Sequence, residues 1–439
     1  MINGLEIGTR LPPERQLLKT FDVSMTTLKR ALNNLAGRGI LRRIVGRGTF
    51  VLHKPEIVIK QERSPLIFTW EPFSNFDFSG LDLVPENHVF QRPEYYRSLA
   101  DALRKKVSPD IMLMASQFPI FQEKATFMNL DYMQISLPAT DGYFANMTNF
   151  FSDYSFRFAL PLLFSCQLIA VSSHSKYDGL AARLQEKDFS DFVEFATYIY
   201  EELQQPMIFF PEYLQLFLMQ SGPLFDPTSG DNLFDTSNGQ RQLEGLKDLI
   251  DSGRLINPFC SSIKNQIDLF CDGKTGVLGP FFAFNLHKLK GDFELILPPF
   301  GKSSSNFINA MGLTIHSETA LPDASAILVK HMGSDESVLK LAYEGRGFPA
   351  QKHLCKRYMK ANHPLIYSNY ERFEDEVANA SISSNDVNDV RIRGVLIDAT
   401  MKYLSGKINL QEAADICSEK LSDLVQTEER EEYLGYQAI

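Results

Sequence analysis

The sequence lacks the marks of a membrane, exported or metal-binding protein. No run of about 18 apolar residues occurs in its 439 residues, and no charged-then-apolar signal segment opens it. The five cysteines are scattered without a CxxC pair, which indicates reduced thiols rather than disulfides or a zinc site. The eight histidines show no HxxxH or HxH spacing. We therefore expect a cytoplasmic protein that has no metal, no cofactor and no membrane partner.

Charge is distributed unevenly along the chain. Residues 1–54 contain ten Lys/Arg and three Asp/Glu, a net charge of +7, whereas the whole chain has a net charge of −10. The remaining residues therefore carry a net charge of −17. A basic segment is the electrostatic signature of phosphate binding. Because an acidic body repels a nucleic-acid duplex, we expect contact with one to be confined to the amino-terminal segment.

Two short helices are predicted within this basic segment. The first follows Pro12-Pro13-Glu14 and contains apolar Leu17, Leu18 and Phe21. Ser24 stands at an N-cap position before the second helix. The apolar residues of that helix recur with a period of about 3.6; they are Leu28, Ala31, Leu32 and Leu35. Gly37 and Gly39 are expected to end it.

A two-stranded hairpin is predicted to follow the second helix. Ile40–Arg43 and Thr49–Leu52 are strand-like, and the glycines of Gly46-Arg47-Gly48 between them permit a turn. Two helices and such a hairpin form a winged helix-turn-helix, whose second helix enters a major groove of DNA.

The order of three motifs, L-P-x-E-R, V-S-x-x-T-x-x-x-A-L-x-x-L and G-R-G-T-F-V, resembles the GntR family of bacterial transcription regulators. The matching residues are Leu11, Pro12, Glu14, Arg15, Val23, Ser24, Thr27, Ala31, Leu32, Leu35 and Gly46 to Val51. The resemblance implies a double-stranded DNA operator and a homodimer, since paired half-sites lie one helical turn apart. Two features depart from the family: a further helix usually precedes this point, and Met25 stands where a base-reading Arg is frequent.

The resemblance and the charges together predict a DNA interface. Side chains near the start of the second helix would face base edges, where Met25 would offer an apolar contact. Arg47 at the wing tip would reach toward the minor groove, and Arg15 and Arg43 would contact phosphates. The predicted interface comprises Arg15, Ser24, Met25, Thr26, Thr27, Lys29, Arg30, Arg43, Arg47, Gly48 and Thr49.

After a polar stretch the pattern changes to alternating strands and helices. Leu66–Trp70 and Pro109–Met114 are predicted buried strands, and Glu94–Lys106 is a predicted helix. Alternation of this kind predicts an α/β fold with a parallel sheet covered by helices.

A series of segments in this part of the chain resembles the extracellular solute-binding proteins of ABC importers, the sugar-binding maltose type included. The segments are Ser108–Leu113 with Asn129–Asp131, Ala159–Pro161 with Leu168–Val171, Asp191–Ala196, Asp272–Phe281, Gly312–Ile315, Pro322–Ala326 and Gly345–Ala350. The resemblance implies a periplasmic-binding-protein-like (type II) clamshell of two α/β lobes. Ligands of such folds bind in the cleft between the lobes.

The domain prediction combines the two resemblances. It comprises a winged helix-turn-helix at 1–54, a linker at 55–64, a solute-binding-protein-like body at 65–426 and a tail at 427–439. Lobe 1 would contain residues 65–163 and 311–360, lobe 2 residues 164–308, and the carboxy-terminal helices residues 361–426. The chain would cross between the lobes near Pro161–Gln167 and Asn309–Met311.

The second resemblance also implies a set of ligand-binding residues, because aromatic rings in the sugar-binding branch stack on sugar faces while polar groups bind hydroxyls. Phe281 falls on the family's stacking Trp and keeps an aromatic face but has no indole N–H. The set is Trp70, Glu71, Ser116, Gln117, Ser165, Glu212, Tyr213, Phe281 and Phe282. The alternative for Phe281 and Phe282 is an ordinary place in the core of a chain that contains 34 Phe.

The function expected from these patterns is transcription regulation without enzymatic activity. A small molecule, expected to be a carbohydrate, would bind in the body and control operator binding. Three alternatives remain open: a body that serves only for dimerisation, a transport-related solute receptor, and an enzyme carrying a regulator domain. No catalytic residues are predicted, because the S-x-x-K run at Ser173–Lys176 lacks the companion motifs of penicillin-binding enzymes.

Overall fold

The structure is a computed structural model of the chain. It describes residues 8–21, 23, 25, 28–29, 31–32, 35, 41–44, 48–51, 63–104, 108–116, 126–132, 142–153, 156–210, 214, 217, 226, 231–257, 263–300, 307–382 and 387–436. Ser24, Thr26, Thr27, Arg30, Arg47, Gln117, Glu212 and Tyr213 lie outside the described residues.

The described residues form α-helices and β-strands. The helices are α1 (Glu14–Phe21), α2 (Arg92–Arg104), α3 (Ala145–Phe150), α4 (Leu180–Gln185), α5 (Phe192–Leu203), α6 (Ser237–Asp251), α7 (Ile263–Cys271), α8 (Pro322–Met332), α9 (Asp335–Tyr343), α10 (Lys352–Asn362), α11 (Pro364–Ser368), α12 (Tyr370–Asn379), α13 (Val387–Leu404) and α14 (Leu410–Tyr436). The strands are β1 (Leu41–Ile44), β2 (Gly48–Val51), β3 (Leu66–Trp70), β4 (Glu86–Phe90), β5 (Ile111–Ala115), β6 (Ser152–Asp153), β7 (Phe156–Arg157), β8 (Leu160–Ser165), β9 (Gln167–Ser172), β10 (Met207–Ile208), β11 (Leu255–Ile256), β12 (Val277–Phe282), β13 (Phe293–Ile296), β14 (Phe307–Ile315), β15 (Phe348–Pro349) and β16 (Ser381–Ile382).

The amino-terminal domain has its own small core. Six apolar side chains are buried together: Leu11, Leu17, Leu28, Leu32, Leu41 and Val51. Strands β1 and β2 form an antiparallel hairpin in which Leu41 pairs with Val51. The segment before α1 lies along β2, because the Gly8 N–H donates to the Val51 carbonyl at 2.8 Å. The described residues between 25 and 35 are helical, as the sequence predicts for the second helix.

The first lobe is built on a seven-stranded sheet with the order β15-β8-β14-β5-β3-β4, and β16 pairs with β14. Strands β3, β4 and β5 are parallel, as the alternating pattern predicts. Strand β14, however, runs antiparallel to both β5 and β8, so the sheet is mixed rather than parallel. The difference arises because β14 enters the sheet from the other lobe and not through a helix crossover.

The second lobe is built on a five-stranded sheet with the order β11-β10-β12-β9-β13. Strand β10 is parallel to β11 and β12, whereas β9 is antiparallel to β12 and β13. Both β9 and β12 are buried at every position, which explains why their sequences are continuous apolar runs rather than alternating ones.

The chain passes between the two sheets at identifiable residues. Strand β8 belongs to the first sheet and β9 to the second, so the first passage is at Cys166, within the predicted range. The return precedes β14, which starts at Phe307. The predicted return at Asn309–Met311 is wrong, because these residues lie inside a nine-residue strand that is already paired with the first lobe.

The carboxy-terminal helices divide between the lobes. Helix α12 is held on the first lobe by Asn146, whose side-chain amide donates to the carbonyls of Val377 and Ala380 at 2.7 and 3.0 Å. Helices α13 and α14 instead pack on the second lobe. Their residues in that lobe's core are Leu396, Ala399, Tyr403, Leu404, Ala413, Ala414, Cys417 and Leu421.

Candidate DNA interface and interlobe site

The second helix of the amino-terminal domain separates core residues from exposed ones. Leu28 and Leu32 are buried, whereas Met25 and Lys29 are exposed. Because Met25 and Lys29 are four residues apart, they share one face of the helix. This face therefore carries Met25 and Lys29, the apolar and the basic side chain that are predicted from the sequence to contact DNA base edges.

The wing presents its predicted residues differently. Gly48 and Thr49 begin β2 and are half-buried, and the Arg43 backbone pairs with Thr49 in the hairpin. Gly48 has a φ of +113°, a left-handed value that disfavours any other residue. A Cβ at Gly48 would lie 2.6 Å from the Nε of Arg10, so this glycine also makes room for that guanidinium. Arg15 is exposed on α1.

Arg10 is a basic residue that the sequence-based set of interface residues omitted. It is exposed and bridges to Phe50 of the wing, which places its guanidinium beside the start of β2. Arg10 directly precedes the L-P-x-E-R motif, and this closeness in sequence could have indicated it as an interface residue. Its position beside the wing, however, follows only from the fold.

Two serines predicted to bind ligand make internal hydrogen bonds at the hinge. Ser116 follows β5, and its hydroxyl accepts from the Ala310 N–H of β14 at 3.1 Å. Ser165 ends β8, and its hydroxyl accepts from the Phe284 N–H of the second lobe at 3.0 Å. Both side chains are fully buried. Each serine therefore fixes a strand end next to the passage between the lobes.

Trp70 and Glu71 lie at the end of β3 in different surroundings. The Trp70 side chain is 2% exposed, and its ring centroid lies 4.8 Å from that of Tyr95 and 5.7 Å from that of Phe73. Burial raises the pKa of Tyr95 well above its usual value, and its hydroxyl donates to the Leu113 carbonyl at 2.6 Å. Glu71 is exposed and accepts a hydrogen bond from the Ser74 hydroxyl.

Phe281 and Phe282 face opposite sides of the second sheet. Phe281 is 2% exposed and packs 5.9 Å from Phe210 in the core that continues into the first lobe. Phe282 is 8% exposed and belongs to the core on the other face. Because successive strand residues point to opposite faces, these two side chains do not line one common site.

A short segment of the second lobe, Ala283–Lys288, contacts the first lobe directly. The ring of Phe284 lies 5.4 Å from that of Phe73, edge to face. A Cβ at Gly347 would approach the Phe284 ring to 2.8 Å, so this glycine admits the ring. The His287 N–H donates to the Gly345 carbonyl, and burial together with nearby Arg346 lowers the pKa of His287. The sequence-based prediction included the segment Gly345–Ala350 but did not include Phe284, which packs against it.

Arg63, which belongs to the predicted linker, contacts the first lobe at the opposite end of β5. The Arg63 guanidinium donates to both carboxylate oxygens of Asp110, at 2.6 and 2.9 Å, and the Leu66 N–H donates to the same carboxylate. Thr319 adds a hydroxyl donor. The Asp110 side chain is 1% exposed. Although burial opposes its ionisation, the hydrogen bonds from Arg63, Thr319 and Leu66 hold the pKa of Asp110 below its usual value.

A groove of about 580 Å³ opens beside this ion pair. Its lining includes Glu86, His316 and Glu318 as well as Arg63 and Asp110. Among the described residues, no group of three or more His, Cys, Asp or Glu side chains could hold a metal ion. No helix within the described part of the chain is long and apolar enough to span a membrane.

The amino-terminal residues match a known family. Residues 2–51 match the family described as bacterial regulatory proteins, gntR family. The chain is 46% identical over 54 residues to RmpR of Mycobacterium gastri, named as an HTH-type transcriptional regulator. It is 47% identical over 56 residues to the HTH-type transcriptional repressor NagR of Bacillus subtilis. Each match covers 12% of this chain, and the chain spans only 20% and 23% of the lengths of these two relatives.

The body resembles solved structures of sugar-binding proteins. A solute-binding protein from Thermotoga lettingae bound with α-D-tagatose has a TM-score of 0.62 at 15% identity, over 82% of this chain and 99% of that one. A Listeria monocytogenes substrate-binding protein in complex with cycloalternan has a TM-score of 0.66 at 12% identity, over 83% of this chain and 99% of that one. The sugar-binding protein MalE from Xanthomonas citri has a TM-score of 0.66 at 13% identity, over 84% of this chain and 98% of that one.

The relatives matched by the amino-terminal domain are named as transcription regulators, and the structures matched by the body are of binding proteins. The chain therefore joins a GntR-type helix-turn-helix domain to a two-lobed body with the fold of ABC-transporter sugar-binding proteins.

Proposed function

We propose that the protein is a cytoplasmic transcription regulator that binds an operator through its amino-terminal domain. The observation that carries this proposal is the division of the second helix, which buries Leu28 and Leu32 and exposes Met25 and Lys29. The net charge of +7 on residues 1–54 of a chain with net charge −10 supplies the attraction to phosphate.

The DNA contacts proposed for individual residues follow the wing and the two helices. Lys29 binds a base edge and Met25 packs on a thymine methyl group. Arg15 and Arg10 contact phosphates, and they set register rather than sequence. The remaining predicted contacts come from Ser24, Thr26, Thr27, Arg30, Arg43, Arg47, Gly48 and Thr49.

A small molecule bound between the lobes, of the carbohydrate class, controls operator binding. Support comes from the fold, which is shared with proteins solved with α-D-tagatose, cycloalternan and maltose. A ligand shifts operator affinity only by its differential affinity for two states of the body. The two states proposed here differ in the contact between Phe284 and Phe73, which joins the lobes in this structure.

The path from the cleft to the DNA runs along β5. One end of this strand leads to Ser116, which is bonded to β14 beside the hinge, and the other begins next to Asp110, which holds Arg63 of the linker. A shift of β14 against β5 would therefore reach the linker through one rigid strand. Thr319, just past the other end of β14, binds the same carboxylate and adds a second connection.

A second candidate is a body that serves only for dimerisation. The observation that favours it is the burial of Trp70 and Phe281, each 2% exposed, against protein side chains rather than toward a cavity. A transport-related receptor gains no support from the basic amino-terminal domain. An enzyme gains none from the predicted residues, because no catalytic constellation was identified among them.

The DNA-binding part of the proposal is tested with the Lys29→Ala variant. An operator is first selected from a random-sequence duplex pool with the full chain, and its Kd is then measured by fluorescence anisotropy. We expect Lys29→Ala to weaken binding by about 5- to 150-fold, the effect of losing one good base contact. Lys330→Ala, an exposed lysine on the body, is the control and should bind as wild type does. Equal affinity of wild type and Lys29→Ala would remove the second helix from the interface.

The effector part is tested by thermal unfolding of the full chain with D-tagatose, maltose, cycloalternan and acarbose. Binding to the native state stabilises it by about 2.7 kcal/mol at a ligand concentration of 100 times Kd. A raised Tm with one of these sugars supports the carbohydrate class. An unchanged Tm with all four at millimolar concentration favours the assembly-only body.

A further inference from the structure

Strand β4 leaves one edge of the first-lobe sheet open among the described residues. It pairs with β3, and β3 is its one partner in the sheet order. The Glu86 N–H donates to the Pro65 carbonyl, and the Phe90 carbonyl accepts from the Glu71 N–H. Because backbone groups alternate along a strand, Asn87 and Val89 direct their N–H and C=O groups away from β3.

Exposed apolar side chains lie in and close to this strand in the sequence. Val84, Val89 and Tyr96 are 70%, 45% and 38% exposed, and they are three of the seven large apolar residues that are exposed in the described part of the chain. All three fall within thirteen consecutive residues. An open strand edge flanked by exposed apolar side chains is a template for pairing with another strand.

We propose that β4 pairs antiparallel with β4 of a second copy of this chain, about a two-fold axis that passes through Asn87. In this register Glu86 stands opposite the partner's His88, and Val84 stands opposite the partner's Phe90. The two sheets then form one continuous sheet across the dimer. Pairing of the two β4 strands does not require DNA. Its role in the cell rests on the proposed function, since a dimeric regulator binds two half-sites.

Side-chain complementarity favours this register over its nearest competitor. An axis through Asn87 or through His88 gives about four backbone hydrogen bonds in either case, because Asn87 and Val89 supply the outward groups. An axis through His88 sets two histidines opposite each other. The axis through Asn87 instead sets a carboxylate opposite an imidazole, its hydrogen-bonding partner, twice, and Glu86 and His88 already contact each other at 2.7 Å within one chain.

The proposed dimer brings the two linkers together. Leu66 is in register with Glu86, and the linker enters at Arg63, three residues earlier. Strand spacings of about 4.8 Å place the two Leu66 Cα atoms about 16 Å apart. In each copy the eight linker residues 55–62 that precede Arg63 span about 26 Å when fully extended, so the two amino-terminal domains can reach half-sites about 34 Å apart.

The experiment is disulfide trapping in the full chain. Asn87→Cys places two thiols at the axis, where paired Cα atoms lie about 5.5 Å apart, within disulfide range. Val84→Cys is the matched control, because it is more exposed but about 20 Å from its symmetry mate in this register. Under copper phenanthroline we expect covalent dimer for Asn87→Cys and background dimer, as in wild type, for Val84→Cys. Equal crosslinking of the two variants, or none for Asn87→Cys, would overturn the proposal.

A charge-swap series provides an independent readout by analytical ultracentrifugation. His88→Glu sets like charges opposite each other and should raise the dimer dissociation constant by tenfold or more. Glu86→Lys combined with His88→Glu sets opposite charges at these paired positions and should restore dimerisation. No recovery in the double variant would contradict the register. A trapped Asn87→Cys dimer that binds no operator would contradict the proposed function while leaving this interface intact.

Discussion

The two ends of the first-lobe sheet hold the chain by different kinds of interaction. At the linker end, Asp110 is a buried carboxylate with donors from Arg63, Leu66 and Thr319. At the hinge end, Ser116 makes neutral hydrogen bonds with Ala310 of β14, accepting at its hydroxyl and donating from its backbone N–H. Hydrogen bonds to a buried charge cost more to break than neutral hydrogen bonds do. The difference predicts that the contact of Arg63 with the first lobe costs more free energy to break than the contact of Ser116 with β14.

The largest expected effect comes from removing the charged anchor. Asp110→Ala leaves the Leu66 N–H and the Thr319 hydroxyl without their acceptor, and we expect a loss of about 2–3 kcal/mol in the free energy of unfolding by urea. Asp272→Ala, which removes an exposed ion pair with Lys274, is the control and should change stability by less than about 0.5 kcal/mol. Similar losses in both variants would show that Asp110 anchors nothing.

The lowered pKa of Asp110 predicts that its contribution to the stability of the protein depends on pH. Because the pKa of Asp110 is lowered in the folded protein, its contribution is fully present above the unfolded pKa of about 3.9 and is lost as the pH falls through the folded value. The Tm difference between wild type and Asp110→Asn should therefore be constant above about pH 5 and shrink below about pH 4. A difference that grows on acidification would contradict the ionised anchor.

An intermediate effect is expected at the interlobe contact. Phe284→Ala removes the edge-to-face contact with Phe73 at 5.4 Å, and we expect a loss of about 1–2 kcal/mol. The variant should also increase the radius of gyration in small-angle X-ray scattering, because the lobes separate more readily. Phe76→Ala truncates a half-buried aromatic that packs on Phe78 of the same lobe, and it should leave the radius unchanged. An unchanged radius in Phe284→Ala would show that this contact does not hold the lobes.

The smallest effect is expected from the neutral hinge bond. Ser116→Ala removes the acceptor of the Ala310 N–H, which costs about 1 kcal/mol in urea unfolding. Ser173→Ala, at an exposed position, serves as the control. A loss at Ser116 that matches the loss at Asp110 would erase the distinction between the two ends of the sheet.

Local parts of the fold were predictable because the signals lie close together in the sequence. The predicted strand Leu66–Trp70 has the observed bounds, and the helix predicted at Glu94–Lys106 begins two residues earlier because Pro93 fits a first helical turn. The mixed sheet was not predictable, since β14 pairs with strands more than a hundred residues earlier in the chain. Periodicity reports which face of a strand is buried but not which strand lies beside it.

The site was less predictable than the fold. Ser116 and Ser165 were singled out as ligand contacts, yet their hydroxyls bond backbone groups 194 and 119 residues away in sequence. The Asp110–Arg63 anchor joins residues 47 apart, and the sequence carries no mark of that pairing. By contrast, the exposed face of Met25 and Lys29 follows from helical spacing alone, because Leu28 and Leu32 define the buried side.

We propose that the body controls operator binding through the contact between Arg63 and Asp110. The most direct measurement is the operator Kd of the full chain with and without the sugar that raises its Tm, in wild type and in Asp110→Asn. We expect the sugar to change the wild-type operator Kd by about 5- to 150-fold, whereas the Asp110→Asn variant binds both operator and sugar but shows a smaller change. An operator Kd that is the same with and without bound sugar in wild type would contradict it.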